Sequence, residues 1–152
     1  MRNFEFRLRA VLEQRERQEE LAKQGFFSAE AAARRAEKLL EEMKDVRTAI
    51  VEEQRQQLVP SQFDPLEARF YQDYLRIITQ SIRGQEEFVR EALLLCEAQK
   101  LNLIGAAQEH KMITQMRDKA LTLHQTRAQR TEQKTMDELA TLRHNYRERT
   151  LD

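Results

Sequence analysis

The segment Leu58-Val59-Pro60-Ser61-Gln62-Phe63-Asp64-Pro65-Leu66-Glu67 contains both prolines of the chain. Pro60 has no backbone N–H and disfavours helical conformation in the residue before it. We therefore expect a helix that arrives from the N-terminus to end near Leu58. On either side of this segment the sequence has no comparably strong signal that would end a helix.

The second half of the same segment has the residues of a helix start. Asp64 is a good N-cap, Pro65 suits the first helical position, and Glu67 stands where a capping box places its carboxylate. The chain is thus predicted to form a helix at about residues 4–58, a turn at about 59–64 and a second helix at about 65–148.

The composition also favours an all-helical protein. Charged residues make up 34% of the 152 residues and aromatic residues 7%, and glycine and proline together number only five. So few turn-forming residues cannot connect the strands of a sheet protein, whereas the abundant Glu, Gln, Arg, Lys, Leu and Ala are good helix formers.

The charge balance bears on the kind of partner. The chain has 26 basic and 26 acidic residues, so no net field attracts nucleic acid or an anionic membrane. No apolar run approaches transmembrane length, and the N-terminus has no signal-peptide core. We expect no nucleic-acid partner, no direct insertion into a membrane, and a cytoplasmic protein.

The first predicted helix fits one strict heptad register from Phe4 without a change of phase. Eleven of its sixteen a and d positions are apolar, which is typical of the narrow seam of a coiled coil. These positions are Phe4, Leu8, Val11, Arg15, Gln18, Ala22, Gly25, Ala29, Ala32, Ala36, Leu39, Met43, Val46, Ile50, Glu53 and Gln57.

The second predicted helix has a similar seam. Its a and d positions are Ala68, Tyr71, Leu75, Ile78, Ile82, Gln85, Val89, Ala92, Cys96, Gln99, Leu103, Ala106, His110, Ile113, Arg117 and Ala120. Because a short turn makes consecutive helices antiparallel, the sequence predicts a single domain over residues 1–152. Its fold is a long antiparallel two-helix coiled-coil hairpin.

The two predicted helices differ in length, so the hairpin should carry a C-terminal helical overhang. With the turn centred near Gln62, Phe4 is expected to face about position 120, and the second helix should continue unpaired from Leu121. The overhang carries apolar residues at Met136, Leu139, Ala140, Leu142 and Tyr146. An uncovered apolar stripe on a helix predicts a partner.

Aromatic residues beside the seam mark a second candidate surface near the turn. Phe70, Tyr74 and Ile77 are spaced to share one helix face, and Phe88 follows them. They either widen the hydrophobic seam or form a patch that binds a partner.

The sequence has no pattern of catalytic, cofactor-binding or metal-binding residues. Its three glycines are isolated, which excludes a phosphate-binding loop, and Cys96 falls on the seam, where a buried structural thiol is expected. The three histidines have no metal-ligand spacing with Cys96. We therefore expect a protein that is not an enzyme and has no cofactor.

Three stretches resemble the FliJ family, the coiled-coil component of the flagellar type III export apparatus. The N-terminal stretch is Phe4-Glu5-Phe6-Arg7-Leu8 followed by Val11-Leu12-Glu13, and Tyr71-Gln72-Asp73-Tyr74 is similar to the family's second-helix start. The most specific stretch is Arg130-Thr131-Glu132-Gln133-Lys134-Thr135-Met136-Asp137-Glu138-Leu139-Ala140.

The resemblance implies partners and binding residues. It implies a stalk-like coupling factor that binds the hexameric export ATPase FliI and the export gate protein FlhA, assists recycling of flagellar export chaperones, and associates peripherally with the inner-membrane export apparatus. The implied ATPase-binding residues are Phe4, Leu8, Gln133, Met136, Leu139 and Tyr146. The implied gate-binding residues are Phe70, Tyr71, Tyr74 and Ile77.

Two alternative functions remain open from the sequence. The chain could be the homologous stalk of a virulence-type type III secretion system, or a structural coiled coil that tethers proteins without any ATPase. Co-purification with a hexameric ATPase would separate the flagellar and virulence-type stalks from the structural coiled coil.

Overall fold

The computed structural model describes residues 4–57, 61 and 63–149, with side chains described as far as Tyr146. It contains two helices, α1 at Arg9–Gln57 and α2 at Pro65–Arg149, and the described residues include no strand. The predicted all-α fold, a two-helix coiled-coil hairpin, is confirmed. The predicted helix stop at Leu58–Pro60 lies outside the described residues.

The predicted start of the second helix is correct. The helix begins at Pro65, and the Asp64 side chain accepts a hydrogen bond of 2.9 Å from the backbone N–H of Leu66. The Asp64 carbonyl also accepts from the N–H of Ala68 at 3.1 Å, which closes the first helical turn. Glu67 adds a carboxylate to that turn, where the helix dipole favours negative charge.

The first helix begins five residues later than predicted, at Arg9 instead of Phe4. The backbone N–H of Arg9 donates to the carbonyl of Phe6 at 3.1 Å, so a turn precedes the helix. Residues 4–8 are therefore not helical.

The chain divides into two units, Glu20–Gly105 and the pair of segments Met1–Glu19 and Ala106–Asp152. In the first unit the helices run antiparallel, because the Gln85 amide donates to the Ala36 carbonyl at 3.0 Å while Gly25 lies beside Gln99. A Cβ atom on Gly25 would lie 2.9 Å from Gln99 Oε1, so the close approach there favours glycine.

The core of this unit is a thin layer of small and branched side chains. Ile82 is 2% exposed, and it packs in one cluster with Ala36, Leu40 and Val89. Met43 and Ile78 pack against that cluster. The burial of α2 follows the predicted register at every a and d position from Ala68 to Ala120, so that register is confirmed.

The predicted register of α1 is wrong for half of its positions after Arg15. The seam advances four residues from Val11 to Arg15, as the strict heptad does. It then advances four again to Glu19, where the strict heptad would advance three to Gln18. Ala22, Ala29, Ala36, Met43 and Ile50 lie in the seam as predicted, whereas Gln57 is exposed. At the alternate position five residues lie in the seam one place later than predicted: Glu19, Ala33, Leu40, Arg47 and Gln54 replace Gln18, Ala32, Leu39, Val46 and Glu53. Gly25 and Phe26 are both half-buried.

The exposure of adjacent residues shows which register α1 adopts. Leu40 is 8% exposed, whereas Leu39, which the strict register places in the seam, is 48% exposed. Ala33 is likewise buried and Ala32 exposed. The side chains of Leu39 and Val46 therefore lie beside the seam and leave apolar surface uncovered.

Candidate functional site

Polar pairs replace apolar packing in the seam of the unit formed by Met1–Glu19 and Ala106–Asp152. Arg15 forms an ion pair with Glu109, and the half-buried Glu19 contacts Nδ1 of His110 at 2.5 Å. Sequence reasoning identified His110 as a polar position in the seam but did not identify either acidic partner. Because these contacts are directional, they fix the pairing of the helices where few apolar side chains do so.

Phe4 lies further along α2 than predicted. The Phe4 ring packs against His124, with ring centroids 5.6 Å apart, instead of facing position 120. Leu121, His124, Thr126 and Ala128 are half-buried. The same displacement is present further along, because Glu19 contacts His110 where a turn centred at Gln62 would place it opposite position 105.

The overhang therefore begins at Gln129 instead of Leu121. Every residue from Gln129 to Tyr146 is exposed. The apolar residues of the overhang are spaced by three, three and four positions, which places Met136, Leu139, Leu142 and Tyr146 on one face of the helix. Within its unit, the overhang thus presents a continuous apolar stripe.

The six predicted ATPase-binding residues do not form one cluster. Phe4 and Leu8 are half-buried in the seam, and Gln133, Met136, Leu139 and Tyr146 are exposed on the overhang. Gln133 lies 9 residues beyond His124, which corresponds to about 14 Å along a helix. Phe4 and Leu8 therefore border the overhang, and the apolar stripe is formed by the overhang alone.

Three of the four predicted gate-binding residues form an exposed surface, which we call the turn patch: Phe70, Tyr74 and Ile77. The fourth, Tyr71, is half-buried in the seam, and its ring meets the edge of Phe70 with centroids 6.2 Å apart. Beneath the turn, a cleft of about 20 Å³ is lined by Gln54, Gln57, Phe63, Asp64, Glu67, Ala68 and Tyr71. That volume holds about one water molecule, so the cleft is too small for a cofactor.

The Tyr71 hydroxyl lies near the acidic side chain of Glu53. Partial burial raises the pKa of Tyr71 above its ordinary value of 10.0, and the Glu53 carboxylate raises it further. The Tyr71 ring lies in the seam and packs against Phe70, so Tyr71 supports that residue of the turn patch.

The remaining titratable candidates do not gather into a reactive site. Cys96 is a free, half-buried thiol in the seam, as expected for a structural cysteine. Among the residues that the structure describes, no group of three or more His, Cys, Asp or Glu side chains could hold a metal ion. In the same part of the chain, neither helix has a stretch long and apolar enough to cross a membrane.

A comparison with family models matches residues 4–149 to the family described as "Flagellar FliJ protein". No curated protein and no solved structure matches the chain. The family match spans both helices and the overhang, and it agrees with the flagellar alternative instead of the virulence-type one. Because the match covers almost the whole sequence, the chain belongs to the FliJ family of flagellar export proteins.

Proposed function

We propose that this flagellar export component is a non-enzymatic coupling factor that binds the export ATPase FliI through the overhang and the export gate protein FlhA through the turn patch. The observation that carries the proposal is the apolar stripe of the overhang. Residues 129–146 are all exposed in a chain whose family acts in flagellar export, so the stripe can meet a partner of that apparatus.

The chemistry of the overhang fits a protein partner. A single helix with Met136, Leu139, Leu142 and Tyr146 on one face resembles the ligand in helix-in-groove recognition, where spaced apolar side chains act as anchors. Methionine adapts to irregular pockets, and tyrosine provides a large contact area with a polar end. Gln133 lies one turn before Met136, where its amide can form a hydrogen bond at the rim of the interface.

Phe4 and Leu8 take a supporting part in the proposed ATPase site. They are half-buried against α2, so only part of each side chain is available to a partner. Packing of Phe4 on His124 fixes the place where the paired region ends and the exposed stripe begins. We propose that the ATPase contacts the overhang mainly and reaches Phe4 and Leu8 at its border.

The turn patch supplies the proposed gate contact. Phe70, Tyr74 and Ile77 are exposed and share one face of α2, and aromatic residues of this kind often dominate the energy of an interface. Tyr71 is assigned a positioning part, because it lies in the seam and its ring packs against Phe70. The chain is proposed to act in the cytoplasm at the membrane-bound export apparatus, where it also assists chaperone recycling.

The experiment that tests the proposal asks whether the chain bridges the two partners. The cytoplasmic part of the gate protein is immobilised, and retention of the export ATPase is measured with and without the chain. We expect retention only when the full chain is present. A chain lacking residues 131–152 should still bind the gate but should not retain the ATPase. Retention of the ATPase by the shortened chain would contradict the assignment of the overhang.

The turn patch has its own prediction, based on two adjacent residues. Tyr74→Ala should weaken gate binding and leave thermal stability nearly unchanged, because Tyr74 lies beside the seam. Leu75→Ala should lower the free energy of unfolding by roughly 2 kcal/mol, because Leu75 lies in the seam. Binding is measured by calorimetry and stability by thermal denaturation. Equal destabilisation by both changes would show that Tyr74 is a core residue and not part of a binding patch.

A further inference from the structure

The two flanks of the seam in the unit Glu20–Gly105 differ in character. On one flank, Lys44 approaches Glu86 to 4.0 Å, and each lies four residues after a buried core residue, Leu40 or Ile82. The opposite flank is formed by residues that immediately precede buried or half-buried seam residues in the sequence. It also includes residues spaced three or four positions from these on the same helix face.

This opposite flank is apolar over both helices, and we call it the apolar flank. It consists of Leu39 and Val46 from α1 and of Tyr74, Ile77 and Phe88 from α2, all of them exposed. Together these five side chains expose on the order of 500 Å² of apolar surface, at the upper end of the largest patch on a typical monomer. Two copies joined here would bury about 1,000 Å² or more, which is sufficient for a weak dimer.

The apolar stripe on each helix is wider than a two-helix seam requires. A coiled-coil pair needs two apolar positions in each heptad, whereas a helix in a four-helix bundle needs a third position beside them. In α1 that third position contains Ala32, Leu39 and Val46, which are the residues that the strict heptad register placed in the seam. The pattern is therefore that of a hairpin that supplies half of a four-helix bundle.

A second copy of the same hairpin fits this flank about one two-fold axis. Leu40 and Ile82 belong to one core cluster, so the preceding residues Leu39 and Ser81 lie at the same level of the two helices. With the axis at this level and the helices of the two copies antiparallel, Leu39 meets Leu39 of the second copy. A residue seven positions after the axis in one copy meets the residue seven positions before it in the other. Val46 therefore faces the second copy's Ala32, and Phe88 faces the second copy's Tyr74.

The charged residues on this flank have the same symmetry. Arg35 lies four residues before Leu39, and Glu42 lies three residues after it. Both are exposed. In the antiparallel arrangement each Arg35 faces the second copy's Glu42, which gives two interchain ion pairs and no juxtaposed like charges at these positions.

The same spacing accounts for a glycine in the middle of α2. Ile77 lies four residues before Ser81 and Gly84 lies three after it, so each Ile77 would pack over the second copy's Gly84. A Cβ atom added to Gly84 meets nothing within 4 Å in this chain, so the chain's own packing does not require glycine there. Glycine lowers helix stability relative to alanine, and a closely approaching second helix supplies a reason for its presence.

We propose that the chain forms a two-fold symmetric dimer through the apolar flank, as an antiparallel four-helix bundle with its axis between Leu39 and Ser81. This proposal goes beyond the coupling function and does not depend on it. Tyr74 and Ile77 belong to both the turn patch and the apolar flank, but self-association is measured on the purified chain without ATPase or gate protein. Failure of one proposal is therefore distinguishable from failure of the other.

The first test compares two matched substitutions by sedimentation equilibrium through the micromolar range. Leu39 and Val51 are exposed to nearly the same degree, 48% and 47%, on the same helix. Leu39→Glu places two carboxylates at the two-fold axis and should weaken dimerisation roughly 100-fold, as expected for loss of a central interface residue. Val51 lies seven residues after Lys44 and therefore on the flank opposite the apolar flank, so Val51→Glu should leave the dimer unchanged. A wild-type chain that stays monomeric throughout the series would overturn the proposal and leave the flank for a helix of another protein.

The second test is specific for the antiparallel register and uses only exposed positions. Arg35→Glu and Glu42→Arg should each weaken the dimer by about tenfold, because each places like charges across both symmetric pairs. The double substitution Arg35→Glu, Glu42→Arg should restore wild-type affinity. Circular dichroism checks that all variants keep the same helix content. A double variant as weak as the single variants would contradict the proposed pairing.

Discussion

Replacing Leu40 by alanine should lower the free energy of unfolding by about 3 kcal/mol, whereas the same change at Leu39 should lower it by well under about 1 kcal/mol. Leu40 is 8% exposed in the core cluster, and removing its side chain leaves a cavity beside Ile82. Leu39 is 48% exposed, and alanine has the higher helix propensity.

The measurement is urea denaturation followed by circular dichroism, at concentrations below those of self-association. Slopes of the transition should match, so that the shift in midpoint reports stability alone. Ala33→Ser and Ala32→Ser form a second adjacent pair, with the larger cost expected at the buried Ala33. A Leu39→Ala variant as unstable as Leu40→Ala would show that the strict heptad register is the correct one.

The fold class followed from the sequence because one segment has both a helix stop and a helix start. The N-cap at Asp64 and the start at Pro65 were predictable, since both residues act through local backbone chemistry. The register of α2 was also predictable from its apolar periodicity. These features depend on residues close together in the sequence, where single-sequence reasoning is strongest.

The register of α1 was not predictable, for a reason that lies in residues 15–20. This run, Arg15-Glu16-Arg17-Gln18-Glu19-Glu20, has no apolar residue to show whether the seam advances by three or four positions. Further on, the adjacent apolar pairs Ala32–Ala33 and Leu39–Leu40 fit either step. The observed step brings Arg15 and Glu19 against Glu109 and His110 of α2, contacts that the sequence of α1 alone does not reveal.

The existence of the overhang was predictable, but the residue at which it begins was not. Its exposed apolar stripe followed from the unequal lengths of the two helices, but the exact pairing of the helices, which places Phe4 against His124, moved its beginning to Gln129. The apolar flank was recognised only on α2, where Tyr74, Ile77 and Phe88 were expected beside the seam, because its α1 residues Leu39 and Val46 were assigned to the seam. A stripe of three apolar positions in each heptad was the available signal.

Introducing two carboxylates into the apolar stripe should abolish stimulation of the export ATPase. Met136→Asp with Leu139→Asp places two charges where the proposed interface excludes water, and unpaired charges are costly to bury there. Both positions are exposed in the chain itself, so the hairpin should keep its helix content and its gate binding.

The matched control adds the same charge to the same helix. Thr141→Asp with Asn145→Asp introduces two carboxylates at exposed positions of the same helix that are not part of the stripe. This variant should stimulate the ATPase as the wild type does. Loss of stimulation in the control would attribute the effect to net charge instead of to the stripe.

The most direct test of the coupling account is ATPase turnover measured against increasing amounts of chain. We predict that turnover and ring assembly rise with the wild-type chain and with the Thr141→Asp, Asn145→Asp control. They should stay at the basal level with the Met136→Asp, Leu139→Asp variant and with the chain lacking residues 131–152. Full stimulation by the shortened chain would contradict the central claim that the overhang is the element that binds the ATPase.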